Sequence, residues 1–214
     1  PVGRELFARS AQSADVAGIE GVMGLFDGRS GQDDEGSTAQ VAKLLGAPVV
    51  LVMDVGKVAR SAAATALGFQ RFDPRLNLAG VILNQVGSEG HRDMIVEALT
   101  PATGLPVLGA IPHDRALTLE ERHLGLVPER EAPRGDEAVE RLTAVMAAHC
   151  DVERILALAQ GAAPLETTAS GLFPAEPLSP RARIAVAQDR AFSFYYQENF
   201  ELLEAWGAEI VPFS

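Results

Sequence analysis

Three short apolar runs, at 48–53, 79–83 and 107–111, recur at similar intervals, and each closes on a polar or turn residue: Asp54, Asn84 and Pro112. Between them, 60–69 and 89–99 are rich in alanine or carry apolar residues at helical spacing. A continuous apolar run too short for a helix is what a strand needs when both of its faces are covered. Strands of that kind alternating with helices specify a parallel sheet with helices packed on it. The expectation is therefore an α/β chain of doubly wound type. Upstream, 16–19 reads as a further strand, followed by a glycine-rich loop over 21–36. Ser37 is placed to cap a helix running to Leu45, and Gly46 with Pro48 should end it.

Past Pro112 the pattern changes to helix-prone polar stretches, one through Leu124 and one over 136–160, expected on the outside of the sheet. Residues 161–180 are dense in Ala, Pro, Ser, Thr and Gly without a period and read as a linker. A strand at 183–187, an amphipathic helix at 198–206 and a strand at 209–213 then begin a second α/β domain. With 214 residues, 47% of them hydrophobic, there is material for one core and the start of another. The chain opens on Pro1 and closes on Ser214 after an apolar run, so both ends read as cuts through a longer protein.

Charge and cysteine usage exclude several classes. A formal charge of −11 with no basic cluster opposes a nucleic-acid partner. The longest apolar run, 47–53, is too short to cross a bilayer, so no membrane partner is expected. Cys150 stands alone, which rules out an intrachain disulfide and fits a reducing cytoplasm.

Chemistry is expected at the carboxyl ends of the strands, where polar side chains of an open α/β sheet converge. Glu20 would stand at the mouth of that crevice, as an oxygen ligand for phosphate-bound Mg²⁺ or as a loop cap. Asp27, between Gly24 and Gly28, could position a substrate or a second metal, or form an ordinary Asp-Gly turn. Asp33, Asp34 and Glu35 read as solvated surface. Asp54 could reach a metal-bound water or cap the chain ahead of the next helix. Asn84 offers an amide donor and acceptor suited to a purine edge, or to a local turn. No GxxxxGK[ST] occurs; 54–57, Asp-Val-Gly-Lys, lacks both the first glycine and the hydroxyl.

Three blocks carry a specific resemblance. Glu20-Gly21-Val22-Met23-Gly24-Leu25-Phe26-Asp27-Gly28 resembles the acidic loop of the cobyrinic acid a,c-diamide synthases. Arg122-His123-Leu124-Gly125-Leu126-Val127-Pro128 matches a second block of that family, and 187–213, with Ala191-Phe192-Ser193-Phe194-Tyr195-Tyr196, resembles the opening of its glutamine amidotransferase domain. The resemblance implies a dethiobiotin-synthetase-like ATP domain, of which 1–160 is the carboxyl-terminal portion, a linker at 161–180, and the beginning of a class I amidotransferase-like domain at 181–214. ATP would phosphorylate a corrin acetate carboxylate, and ammonia from glutamine would displace the phosphate.

By motif, Glu20 would bind Mg²⁺, Asp27 would act where the carboxylate is activated, and Asn84 with Pro112 would hold the adenine. Asp54, Ser61 and His123 are further candidates, His123 facing the corrin, and His113 could line the nucleotide site. The phosphate loop is expected before Pro1 and the glutaminase Cys and His after Ser214. Cys150 has no strand-turn-helix elbow around it, and His149 and His91 read as surface residues. Corrin, ATP and glutamine are the implied partners, with a homodimer as a candidate assembly. Rival readings are a cobyric acid synthase, a dethiobiotin synthetase, and a ParA/MinD-like ATPase switch.

Overall fold

A computed structural model describes residues 2–114, 121–122, 125–126, 135–165, 171–189 and 191–214. The chain divides into two compact units, Gly18–Ala163 and a discontinuous one made of Pro1–Ala17 with Pro164–Ser214.

The larger unit is built on a parallel three-stranded sheet, β1 (Val49–Asp54), β2 (Leu78–Val86) and β3 (Val107–Pro112), in the order β1-β2-β3. Helix α3 (Ser61–Phe72) joins β1 to β2, and α4 (Glu89–Thr103) joins β2 to β3. The central strand carries the most apolar run, and Val81 and Leu83 are fully buried. Leu83 packs in one cluster with Ala62, Ala63 and Ala66 of α3 and with Ile95 and Leu99 of α4. Alanines on α3 let that helix lie close to the sheet, while the larger side chains of α4 fill the remaining volume. Helix α2 (Thr38–Leu45) starts where expected: Ser37, 1% exposed, accepts from the Gln40 amide at 3.1 Å and donates to the Asp34 carbonyl at 2.7 Å. Gly46, at φ 64°, ends it in the left-handed conformation that favours glycine.

The expected helix over 136–160 is two helices, α5 (Gly135–His149) and α6 (Val152–Gln160). The break follows from Asp151, whose carboxylate accepts from the Arg154 amide and caps a new helix. At the break, Cys150 bridges to Gly109 of β3, and the Asp151 amide donates to the Leu108 carbonyl at 2.7 Å. A β-carbon on Gly109 would fall 2.5 Å from the Cys150 sulfur, so the approach depends on glycine. A short antiparallel pair, β4 (Glu121–Arg122) and β5 (Gly125–Leu126), also lies in this part of the chain.

One other expectation is corrected. Residues 16–19 form no strand: they have no ladder hydrogen bonds, and Val16 and Ile19 are exposed. An apolar run becomes a strand only beside a partner edge, and a cavity separates Ile19 and the residues after it from β1. Helix α1 (Val2–Ser10), unread in the sequence, belongs to the discontinuous unit. There, Ser10 donates to Glu198 at 3.1 Å and the Arg9 guanidinium lies 3.8 Å above the Phe173 ring. The same unit holds β6 (Ala182–Ala187) and β7 (Ala208–Phe213), paired in parallel and linked by α7 (Gln197–Ala205). Tyr195 donates to the Ala187 carbonyl at 2.6 Å, and the Trp206 indole N–H to Leu172 at 2.8 Å. Residues 161–165 and 171–181 carry no helix or strand.

Candidate functional site

Parallel pairing places the ends of all three strands on one edge. Asp54 is the register partner of Asn84, and Pro112 is the register partner of Val86, two residues past Asn84. Three of the candidate residues are thus brought to the carboxyl edge of the sheet, where such folds bind ligands.

Each is tied into local backbone. Asp54 Oδ1 accepts from the Gly56 amide at 2.9 Å, closing a tight turn after β1. The Val55 amide donates to the Asn84 carbonyl at 2.9 Å, and Asn84 Oδ1 accepts from the Gln85 amide at 3.0 Å. Gln85 has φ 63°, a left-handed conformation unusual for a residue with a β-carbon. The Asn84 side chain thereby holds a strained turn at the strand end. Pro112 is half-buried; after it, the His113 amide donates to the Val86 carbonyl at 2.9 Å, and the His113 Nδ1 contacts the Gln85 side-chain oxygen. Ser61 is exposed at the start of α3, and its carbonyl accepts from the Thr65 hydroxyl.

Glu20 and Asp54 line one cavity of about 670 Å³, bounded by Ile19, Gly21 and Leu25 on one side and by β1 on the other. Asp27 lines a different cavity, of about 880 Å³, with Arg29, Asp33 and Arg75. The two carboxylates of the acidic loop therefore face different spaces. Asp27 folds back over Gly24: its amide donates to the Gly24 carbonyl at 3.0 Å, and its carboxylate occupies the place a Gly24 β-carbon would take. Gly28 lies similarly close to the Glu35 carbonyl, and the Arg29 amide donates to that carbonyl at 2.8 Å. Among the described residues no group of three His, Cys, Asp or Glu side chains is placed to hold a metal. Glu20 could supply one hard oxygen to a Mg²⁺ whose other ligands come from phosphate and water. His123 lies outside the described residues.

Two further features differ from the reading of the residues alone. Asp34, read as solvated surface, pairs with Lys43, which also pairs with Asp73 at the end of α3. Arg75 then holds Asp73 through two hydrogen bonds of 2.9 and 2.8 Å. Arg75 and Lys43 keep the Asp73 carboxyl well below the usual carboxylate range; Lys43 lowers Asp34, and Asp34 with Asp73 raises Lys43. His91, read as solvent-facing, is half-buried and hydrogen-bonded through both ring nitrogens. The only sequence signal for it is its place three residues after the helix cap Ser88; for Lys43 there is none, because neither Asp34 nor Asp73 lies at a helical spacing from it.

Residues 5–121, more than half of the chain, match the family described as AAA domain. The chain belongs to this AAA domain family. Its parallel sheet with helical crossovers lies largely within the matched span. Over nearly its whole length the AAA-domain chain is also similar to proteins named cobyrinate a,c-diamide synthase, as its acidic-loop and 122–128 blocks implied. That of Gloeobacter violaceus is 48% identical over 216 residues, covering 100% of the chain and 46% of the relative. The Dehalococcoides mccartyi protein is 44% identical over 211 residues, covering 98% and 46%, and that of Priestia megaterium is 44% identical over 211 residues, covering 99% and 45%. The chain thus spans about half the length of these curated relatives. No solved structure matches.

Proposed function

We propose that the chain is part of an ATP- and glutamine-dependent ligase that amidates the a and c acetate carboxylates of cobyrinate or hydrogenobyrinate in cobalamin biosynthesis. One observation supports this reading: Asp54, Asn84 and Pro112 share the carboxyl edge of an AAA-domain sheet, in a chain similar throughout to cobyrinate a,c-diamide synthases. A carboxylate is a poor acyl donor until one oxygen becomes a leaving group, and phosphorylation by ATP supplies that. In this reading Asn84 and the Pro112 segment hold the adenine, and Asp54 and Ser61 line the phosphate side. Glu20 would hold Mg²⁺, which supplies neutralisation of phosphate charge.

Asp27 orients the reacting carboxylate from the neighbouring cavity, within a loop clamped by Lys43. Residues 1–160 serve the ATP step, 161–180 link, and 181–214 open the amidotransferase-like part that delivers ammonia. A cytoplasmic homodimer completes the proposal. Cobyric acid synthase and a ParA/MinD-like switch are the alternatives. The deciding experiment uses the full-length protein with cobyrinate, hydrogenobyrinate or cobyric acid precursors, following ATP hydrolysis and amide products by chromatography. Corrin-dependent ATP hydrolysis with a,c-diamide formation is expected; ATP hydrolysis indifferent to corrin and glutamine would point to the switch.

A further inference from the structure

His91 is the one side chain described above that ties the loop after β1 directly to the loop after β2. It is the third residue of α4, and its backbone amide donates to the capping Ser88 hydroxyl at 3.1 Å. On the ring, Nδ1 lies 3.1 Å from the Gly87 amide nitrogen, and Nε2 lies 2.6 Å from the Val58 carbonyl oxygen. An amide N–H can only donate and a carbonyl oxygen can only accept. Nδ1 must therefore present its lone pair and Nε2 its proton, which fixes the neutral imidazole in a single tautomer. The ring is a rigid strut with one end in each loop.

What the strut joins gives it meaning. Val58 lies in the loop that begins at Asp54 and Gly56 and leads into Ser61. Gly87 directly follows β2, just past Asn84 and the left-handed Gln85. Nearer the sheet the two loops already touch, since a β-carbon on Gly56 would lie 3.3 Å from the Gln85 β-carbon. The His91 bridge adds a second, outer point of attachment, and two points fix the relative orientation of the loops where one leaves a hinge. We propose that His91 is a positioning residue for the nucleotide edge: it holds the loop carrying Asp54 and Ser61 at a set distance from Asn84, so that both sides meet ATP without rearrangement. The role rests on the ATP-binding reading above. Pre-setting two loops lowers the ordering cost of binding, and its loss appears chiefly as weaker ATP binding.

Two substitutions divide the ring's functions. In His91→Asn a shorter side chain can still accept from Gly87 but cannot reach Val58. In His91→Gln an amide N–H at the distance of Nε2 can still donate to Val58. The full-length enzyme should show an ATP KM raised about tenfold in His91→Asn, with kcat and the glutamine KM within about twofold of wild type, and His91→Gln should restore most of the ATP KM. Hydrogen exchange without nucleotide should be faster at 55–60 in His91→Asn and near wild type in His91→Gln. An unchanged ATP KM in His91→Asn, a glutamine KM that rises in step with it, or equal defects in both variants overturns the positioning role. Unchanged exchange at 55–60 overturns the strut itself, a readout independent of any nucleotide. Failure of wild-type protein to bind ATP while the exchange pattern holds would strike the proposed function and leave the strut standing.

Discussion

Asn84 shows how a single residue type can serve two purposes that one substitution would confuse. Its Oδ1 is committed to the Gln85 amide in a left-handed turn, so Asn84→Ala removes a turn contact as well as any contact to a base. Asn84→Asp keeps an oxygen for the Gln85 amide and removes the amide donor. In full-length protein, Asn84→Asp should raise the ATP KM with little change in kcat, while Asn84→Ala should also lower the unfolding midpoint by chemical denaturation. An Asn84→Asp enzyme with wild-type ATP KM would leave this residue to its turn. Glu20 and Asp27 should also separate, because they line different cavities. Activity lost in Glu20→Gln should be recovered in part by excess Mg²⁺, whereas Asp27→Asn should lower amidation about a hundredfold with ATP affinity retained by calorimetry. The strand-end candidates could be read in sequence because an apolar run announces its own last residue. His91 could not, since nothing near it in the chain names Val58 as its partner.

At the scale of elements, what was legible was whatever is local. Ser37 and Gly46 bracket α2 within a few residues of one another, and the runs ending at Asp54, Asn84 and Pro112 are strands because their own composition demands burial. The failures needed distant partners: 16–19 has no edge to join, and the helix break at Cys150 follows from how Cys150 and Asp151 meet β3. That break yields a test. Gly109→Ala should destabilise the fold by about 1–3 kcal/mol through overpacking against the Cys150 sulfur, and adding Cys150→Ala should return much of the loss, a coupling measurable in a double-mutant unfolding cycle. Burial raises the Cys150 thiol above its ordinary range, so alkylation of the native protein near neutral pH should be slow compared with the unfolded chain. The Lys43 cluster, which ties the acidic loop to α2 and to the end of α3, has its own pH window. Asp34 and Asp73 are lowered, so their contribution is complete above about pH 4 and falls away in acid, through their folded values. Lys43 is raised, so its contribution holds below about pH 10 and is lost in stronger base. Lys43→Met should flatten the dependence of unfolding free energy on pH at both ends; an unaltered acid limb would show that the cluster does not hold the loop.

Across the whole molecule, the described residues flank the sheet of the larger unit differently on its two sides. The outer edge of β3 is met by Cys150 and the start of α6, whereas among the described residues β1 pairs only with β2, with Val52 60% exposed. A strand edge presents backbone donors and acceptors to anything extended that approaches, including another copy of itself. What stands against such self-association in this chain is long-range repulsion from its formal charge of −11. Colloidal behaviour should therefore depend steeply on conditions that leave the fold intact. Light scattering should rise as the pH is brought down toward 4.8, where that charge vanishes, and at neutral pH when salt shortens the range of repulsion. A lysine in place of Val52 would put a charged, hydrated side chain on the strand itself, and Val52→Lys should keep the chain dispersed in salt where the parent clouds.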